Sequence, residues 1–156
     1  MSPGWPVVSQ HDPTLQGPII ALGESTKMKI AALIARILLG LVFAAAGALP
    51  FFIHTPPPQP GAAGELNAIF YQSHWVQFIG FAQLVAGVLL LANRFVPVAL
   101  IIIAAFLYNS YAFHITLQPA GVVAPLVATV LWLLVALQYR DVFADIFRAR
   151  PTNRIT

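Results

Sequence analysis

The chain has no cysteine and very little charge. None of its 156 residues is cysteine, and only 8% are Asp, Glu, Lys or Arg, against about 25% in an average soluble protein. The absence of cysteine excludes disulfides, thiolate metal ligands and thiol redox chemistry on this chain. The scarcity of charge argues against a soluble fold, because water must solvate the surface of such a fold, whereas a surface that faces lipid is apolar.

Carboxylates are missing from every long apolar run. The five acidic residues, which all lie outside those runs, are Asp12, Glu24, Glu65, Asp141 and Asp145. A proton-coupled transporter usually depends on an ionisable group within the membrane, and the runs show no inverted repeat. A small-molecule or lipid transporter is therefore the least supported function. The sequence also lacks a phosphate-binding glycine loop and a GxSxG motif.

Long hydrophobic runs are what the chain has in abundance. Hydrophobic residues make up 59% of it, and its mean hydropathy is +0.81. Four runs approach or exceed the roughly 20 residues that a membrane-spanning helix needs, and they cover residues 30–53, 75–92, 96–115 and 121–139. The sequence therefore predicts an all-α fold, a four-helix transmembrane bundle within a single domain at residues 28–147.

The segments between and around these runs are shorter or more polar. Residues 54–74 contain a proline cluster and predict a loop, with a short interfacial helix at 65–70. Residues 1–27, with four prolines, predict an irregular cytoplasmic tail that does not have the pattern of a signal peptide. The residues that follow Met28 are typical of the start of a membrane protein, so translation from Met28 is a further hypothesis.

The end of the chain is charged and amphipathic. Phe143, Ile146 and Phe147 alternate with charged residues, which predicts a helix that lies on the membrane surface. Residues 148–156 are predicted to form a cytoplasmic tail.

The basic residues predict the orientation of the chain. In the four-span arrangement all eight fall on one side of the membrane: Lys27, Lys29, Arg36, Arg94, Arg140, Arg148, Arg150 and Arg154. Loops rich in lysine and arginine stay in the cytoplasm, so we expect a multi-pass protein of a bacterial-type inner membrane with both termini cytoplasmic. These residues are too few and too scattered for a nucleic-acid-binding stripe.

Small residues predict close packing of the helices. Gly40, Ala44 and Ala48 recur at every fourth position of the first run, and Gly80 and Gly87 lie in the second. Small side chains at such spacings let helix backbones approach closely in a membrane.

Six polar residues inside the runs are candidates for a ligand-binding pocket: Arg36, Gln83, Asn109, Ser110, Tyr111 and His114. One interpretation is that they form hydrogen bonds between helices. The other is a polar pocket for the headgroup of a lipid or a quinone. Arg36 itself either extends to the cytoplasmic headgroups or contacts an anion between helices.

Three histidines are predicted at the non-cytoplasmic surface, namely His54, His74 and His114. Imidazoles at one level could bind a transition metal or relay protons. Their spacing is not that of a metal-binding motif, so no metal site is predicted and these three remain weak candidates.

Several runs of residues resemble the DoxX family of membrane proteins. They are residues 35–43 (ARILLGLVF) with Gly47, residues 83–91 (QLVAGVLLL), residues 109–114 (NSYAFH), and Pro119-Ala120-Gly121 followed by Tyr139-Arg140-Asp141. The resemblance covers roughly residues 30–147 and implies a four-helix bundle. It also implies an association with quinol oxidation, thiosulfate:quinone oxidoreduction or oxidative-stress complexes. Many members carry a lysine shortly after the glycine that corresponds to Gly47, and this chain has Ala48-Leu49-Pro50-Phe51 there.

Two functions follow from these observations. The first is an accessory subunit of a quinone-linked redox or oxidative-stress system, with quinone as the candidate cofactor and Asn109 or His114 as its hydrogen-bonding partner. The second is a non-catalytic scaffold that binds a partner protein through its cytoplasmic tail or its outer loop. Neither requires independent catalytic activity, and the partner is either a membrane redox protein or a second copy of the chain.

Overall fold

The computed structural model describes the backbone of residues 13–146 and the side chains of residues 26–145. Within that range the chain is helical and has no strand. Its helices are α1 (Pro13–Ala48), α2 (Gly61–Gln72), α3 (Trp75–Leu91), α4 (Val96–Thr116), α5 (Val123–Ala136) and α6 (Arg140–Ile146). Short 3-10 turns follow α1 at Leu49–Phe51, precede α5 at Pro119–Gly121 and follow α5 at Leu137–Tyr139.

Three stretches of the described chain are long and apolar enough to cross a membrane, namely Thr26–Phe51, Val96–Thr116 and Pro119–Asp145. A fourth is obtained if α2 and α3, which meet at an angle of 84°, count as one span. The 17 residues of α3 alone are about 26 Å long at 1.5 Å per residue, slightly less than the roughly 30 Å of a hydrocarbon core. These helices indicate a membrane protein, as the sequence predicts.

The four longest apolar helices pack in a ring. Helix α1 packs against α3 and α5, and α4 packs against the same two helices. Because short connections join α3 to α4 and α4 to α5, consecutive helices run antiparallel. Phe43 of α1 and Phe106 of α4 meet across the ring with their centroids 5.4 Å apart, in an edge-to-face arrangement that aromatic rings favour. The largest fully buried side chains are Leu39, Leu90, Leu100, Ile103 and Val135.

The outer surface is apolar as well. Phe78, Phe81 and Ile115 are each more than half exposed. Large exposed apolar patches are rare on a soluble monomer, whereas a bilayer solvates them. The apolar surface thus supports the same conclusion as the lengths of the helices.

Glycines bring α1 and α3 into backbone contact. A Cβ added to Gly47 would meet the Leu84 backbone nitrogen and the Gly80 carbonyl oxygen, and one added to Gly87 would meet the Ala44 backbone nitrogen. The predicted role of small residues in packing is confirmed for this pair of helices. The position that contacts Gly80 is Gly47, one residue before the predicted Ala48.

Helix α1 begins earlier than the sequence predicts. It starts at Pro13 and so includes residues 13–27, which the sequence predicts as an irregular tail. After Pro18 the next proline is Pro50, just beyond the last residue of α1. Residues 1–12, with His11, and residues 147–156, with the predicted tail and the end of the predicted surface helix, lie outside the described residues.

Helix α2 is also longer than predicted, since it begins at Gly61 and not at residue 65. Gly61 and Gly64 weaken the helical signal because glycine has a low helix propensity. Local contacts with Gln59, just before the helix, explain the difference. Asn67 Nδ2 donates to Gln59 Oε1 at 2.7 Å, and a Cβ on Gly64 would meet the Gln59 carbonyl oxygen.

Candidate functional site

The six candidate residues do not form one pocket. Arg36 contacts Asn93 in the connection between α3 and α4, whereas His114 contacts Gln118 in the connection between α4 and α5. These two connections lie at opposite ends of α4. The predicted pocket is thus divided among separate places in the fold.

Tyr111 links α4 to α5. Its hydroxyl lies 2.9 Å from Thr129 Oγ1, and Thr129 Oγ1 donates its only proton to the Pro125 carbonyl oxygen at 2.7 Å. Tyr111 is therefore the donor and Thr129 the acceptor. For Tyr111 the interpretation as a hydrogen bond between helices is confirmed. Ser110, the residue before it, is half-buried.

Asn109 faces outward from α4. Its Nδ2 donates to the Ala105 carbonyl oxygen at 2.8 Å, within its own helix. Its neighbour Tyr108 is 76% exposed. Asn109 thus forms no hydrogen bond between the described helices, and it places a polar group on the outer surface in the middle of a long apolar helix.

His114 is held by the connection between α4 and α5. Its Nδ1 lies 3.0 Å from the Gln118 carbonyl oxygen, which can only accept, so Nδ1 carries the proton. The ring also packs edge-on against Phe113, with centroids 5.3 Å apart. A Cβ on Gly121 would collide with this ring. His114 therefore has a structural role in shaping the turn.

The other two histidines are exposed. His54 follows α1, and His74 lies at the bend between α2 and α3 with a left-handed φ of 58°. Among the described residues no three His, Cys, Asp or Glu side chains are grouped so that they could hold a metal ion.

Two glutamines of α3 face the interior. Gln83 is buried, with 8% of its surface exposed. Gln77 Oε1 is buried and has no hydrogen-bond partner in the part of the chain that the structure describes. Trp132 also carries a polar atom into the bundle, where its Nε1 donates to the Leu100 carbonyl oxygen at 2.8 Å.

A concave surface with a polar lining lies at one end of the bundle, which we call the basic end. It holds the described lysines and arginines: Lys27, Lys29, Arg36, Arg94 and Arg140. A cavity of about 220 Å³ opens there between α1, the α3–α4 connection and the end of α5. Its polar lining consists of Lys29, Arg36, Asn93, Gln138 and Tyr139. Of these five residues only Arg36 belongs to the pocket predicted from the sequence. The distribution of lysine and arginine in the sequence does predict that the basic residues lie on one side of the membrane.

A second, larger groove of about 570 Å³ lies along α4, α5 and α6. Its lining is mostly apolar, and Arg140 is the charged residue in it. The exposed guanidinium of Arg140 lies 3.8 Å from the carboxylate of Asp141. The groove therefore offers an apolar surface for hydrocarbon and few groups that could bind a polar ligand.

Searches of family models, curated proteins and solved structures find no match to this chain. The resemblance to the DoxX family stays a prediction.

Proposed function

We propose that the chain is an accessory subunit of a membrane complex, and that it binds its partner inside the bilayer through the outer face of α4. The single observation that carries this proposal is the exposed pair Tyr108 and Asn109 on that face. Asn109 is the fourteenth of the 21 residues of α4, so it lies far from either end of the helix. A polar amide that faces lipid there is unfavourable.

A partner helix would relieve this cost. The hydrogen bond to Ala105 uses one amide N–H of Asn109, and the amide has a second N–H and a carbonyl oxygen that also need partners. Asparagine side chains stabilise contacts between transmembrane helices by such bonds. Ala105 and Ala112 flank Asn109 on the same exposed face, and small side chains allow another helix to approach closely.

We further propose that the protein spans the inner membrane of a bacterium four times, with α3 as the second span and α2, which meets it at 84°, as a helix at the membrane surface. In this arrangement the basic end faces the cytoplasm, since lysine and arginine are retained on that side. Both chain ends then lie in the cytoplasm, and the 52–60 and 117–122 connections lie on the other side.

The proposed link to quinone-dependent redox chemistry or oxidative stress depends on the resemblance to the DoxX family. Of the six residues of the predicted pocket, Asn109 is the exposed one. A quinone dissolved in lipid or bound by a partner could therefore contact Asn109, whereas the His114 imidazole is engaged by the Gln118 carbonyl oxygen. In the scaffold alternative the partner binds the cytoplasmic tail or the outer loop, and α4 faces lipid only.

Photocrosslinking inside native membranes tests the accessory-subunit proposal. A photoreactive amino acid replaces Tyr108 on α4 or, as the control, Val130 on α5. Val130 is 58% exposed and is adjacent to Thr129, which bonds to Tyr111, so the two probes sit at similar depths. We expect a discrete protein adduct from position 108 and lipid adducts from position 130. Lipid adducts alone from both positions would contradict the proposal.

The substitution Asn109→Leu provides the second part of the test. We expect the yield of the adduct from position 108 to fall roughly fivefold, which corresponds to the ~1 kcal/mol of one hydrogen bond between membrane helices. Mass spectrometry of the adduct distinguishes a second copy of the chain from another protein, and analysis of co-purified lipids detects bound quinone. An unchanged adduct yield in the Asn109→Leu variant would remove Asn109 from the interface.

A further inference from the structure

The described lining of the cavity at the basic end carries two positive charges and no negative charge. Lys29 and Arg36 line it, and none of its lining residues is Asp or Glu. The described acidic side chains lie elsewhere, with Glu65 on α2 and Asp141 and Asp145 on α6. Two cations on one small concave surface raise the local concentration of anions.

The guanidinium of Arg36 has only part of its hydrogen-bonding capacity used by the described residues. Its Nη1 donates to Asn93 Oδ1, whereas its Nε is buried and has no hydrogen-bond partner among the described residues. A buried N–H of a charged group that lacks a partner is costly. The guanidinium has three further N–H groups, and an anion in the cavity that Arg36 lines would accept hydrogen bonds from them.

The turn that holds Arg36 in place is itself well ordered. Asn93 adopts a left-handed φ of 54°, and its backbone N–H donates to the Leu90 carbonyl oxygen at 3.2 Å. The Arg94 N–H donates to the Leu89 carbonyl oxygen at 3.0 Å. Because these bonds fix the position of Asn93, they favour a position of the Arg36 side chain at the cavity wall.

Neutral hydrogen-bond donors complete the lining. The side chains of Gln138 and Tyr139, at the end of α5, lie on the wall of the same cavity. An arginine, a lysine and neutral donors around one concavity suit an anion with several acceptor oxygens, and a planar guanidinium matches phosphate oxygens well.

We propose that this cavity binds an anion of the phosphate class, a phosphate monoester or diester, with Arg36 and Lys29 as its cationic contacts. The anion is either the headgroup of an anionic phospholipid or a soluble phosphate. The site does not depend on the partner surface of α4, so either proposal can fail while the other holds.

Two matched pairs of variants test the site in the full chain. Arg36→Gln and Lys29→Gln remove a charge from the cavity, whereas Arg94→Gln and Lys27→Gln remove the same charges from exposed residues that do not line it. Lys27 is two residues before Lys29, about 200° around the helix. Native mass spectrometry of the purified protein with dioleoylphosphatidylglycerol measures the binding constant, and dioleoylphosphatidylcholine serves as the zwitterionic comparison.

We expect each cavity variant to weaken binding of phosphatidylglycerol about tenfold, as for the loss of one hydrogen bond to a charged group. The two exposed controls should stay within about twofold of the unmodified chain. Equal weakening by all four variants would show diffuse attraction to positive charge and overturn the proposal, as would equal affinity for the two lipids. If Arg36→Gln fails to fold, Lys29→Gln decides the outcome, because Lys29 is exposed.

Inorganic phosphate identifies the source of the anion. If phosphate alone raises the thermal unfolding midpoint of the protein, competes with phosphatidylglycerol and loses both effects in Arg36→Gln, the natural ligand is soluble. If phosphatidylglycerol binds in an Arg36-dependent manner, and phosphate neither raises the unfolding midpoint nor competes with the lipid, the ligand is a lipid headgroup. If neither phosphatidylglycerol nor phosphate binds more weakly to the Arg36→Gln and Lys29→Gln variants, the proposed site is wrong.

Discussion

Tyr111 shows how a polar side chain is accommodated inside an apolar bundle. Its hydroxyl donates a hydrogen bond to Thr129 Oγ1 at 2.9 Å, and the Thr129 hydroxyl donates in turn to the Pro125 carbonyl oxygen. The pair thus forms a short chain of bonds that joins α4 to α5. In a medium without water each of these groups would otherwise lack a partner.

We expect Tyr111→Phe and Thr129→Val to be coupled in a double-mutant cycle. Each substitution removes one partner of the bond, so the coupling free energy should be about 0.6 kcal/mol and below ~2 kcal/mol, the range for hydrogen bonds between membrane helices. The measurement is the free energy of unfolding in mixed micelles. Tyr108→Phe with Thr129→Val is the control, since Tyr108 is exposed, and that pair should be additive. A coupling of zero for Tyr111 would show that the bond contributes nothing.

The sequence predicts which residues are polar at membrane depth but not which way they face. Ser110 and Tyr111, four and three residues before His114, share its side of a helix, whereas Asn109, five residues before it, does not. In the structure Asn109 is exposed and Tyr111 is half-buried. That Asn109 points outward depends on which helices flank α4. The order of the helices in the bundle follows from long-range packing, which the pattern of one helix does not contain.

Helices α1 and α3 form the closest contact between two elements. Gly47 on α1 and Gly80 and Gly87 on α3 have backbone atoms of the other helix where a side chain would otherwise lie. Gly40 has the Leu91 side chain there, with the Gly87 carbonyl oxygen close by. Dispersion contacts between closely packed helices replace the hydrophobic effect, which does not drive association within lipid.

We predict that Gly47→Ala and Gly87→Ala each destabilise the bundle. The added Cβ would meet backbone atoms, which cannot move as a side chain can, and overpacking of this kind costs about 1–3 kcal/mol. Ala82→Val is the control, because Ala82 is an exposed residue of α3 and also gains carbon atoms. Thermal unfolding in detergent measures the effect. Glycine variants as stable as the control would contradict the close approach of α1 and α3.

At the scale of elements, the hydrophobic runs predict the membrane helices well, whereas the helices in the more polar segments are predicted poorly. The ends of α3 and α4 differ from the predicted runs by one residue each, since Leu91 and Thr116 end helices predicted to end at 92 and 115. The start of α2 is missed because Gly61 and Gly64 obscure it, and its local contacts with Gln59 leave no trace in the hydrophobic pattern. The extension of α1 back to Pro13 is missed because four prolines suggest an irregular tail.

At the scale of the whole molecule, the distribution of charge agrees with the packing of the helices. The described basic residues gather at one end, where Arg36 of α1 contacts Asn93. From the sequence, the number of spans between the basic residues assigns them all to one side of the membrane. In the structure, the packing of α1 against α3 and α5 brings them together in space. The sequence cannot reveal the cavity, because its lining comes from three separate parts of the chain.

The arrangement of four spans underlies both proposals, and single-cysteine labelling tests it most directly. The chain has no cysteine of its own, so Thr55→Cys, Ala120→Cys, Arg94→Cys and Ala144→Cys each introduce one exposed thiol without background. With a membrane-impermeant maleimide on intact cells, we predict labelling at positions 55 and 120, and labelling at 94 and 144 only after permeabilisation. Labelling of position 94 from the same side as position 55 would mean that α3 does not cross the membrane, and it would contradict the account.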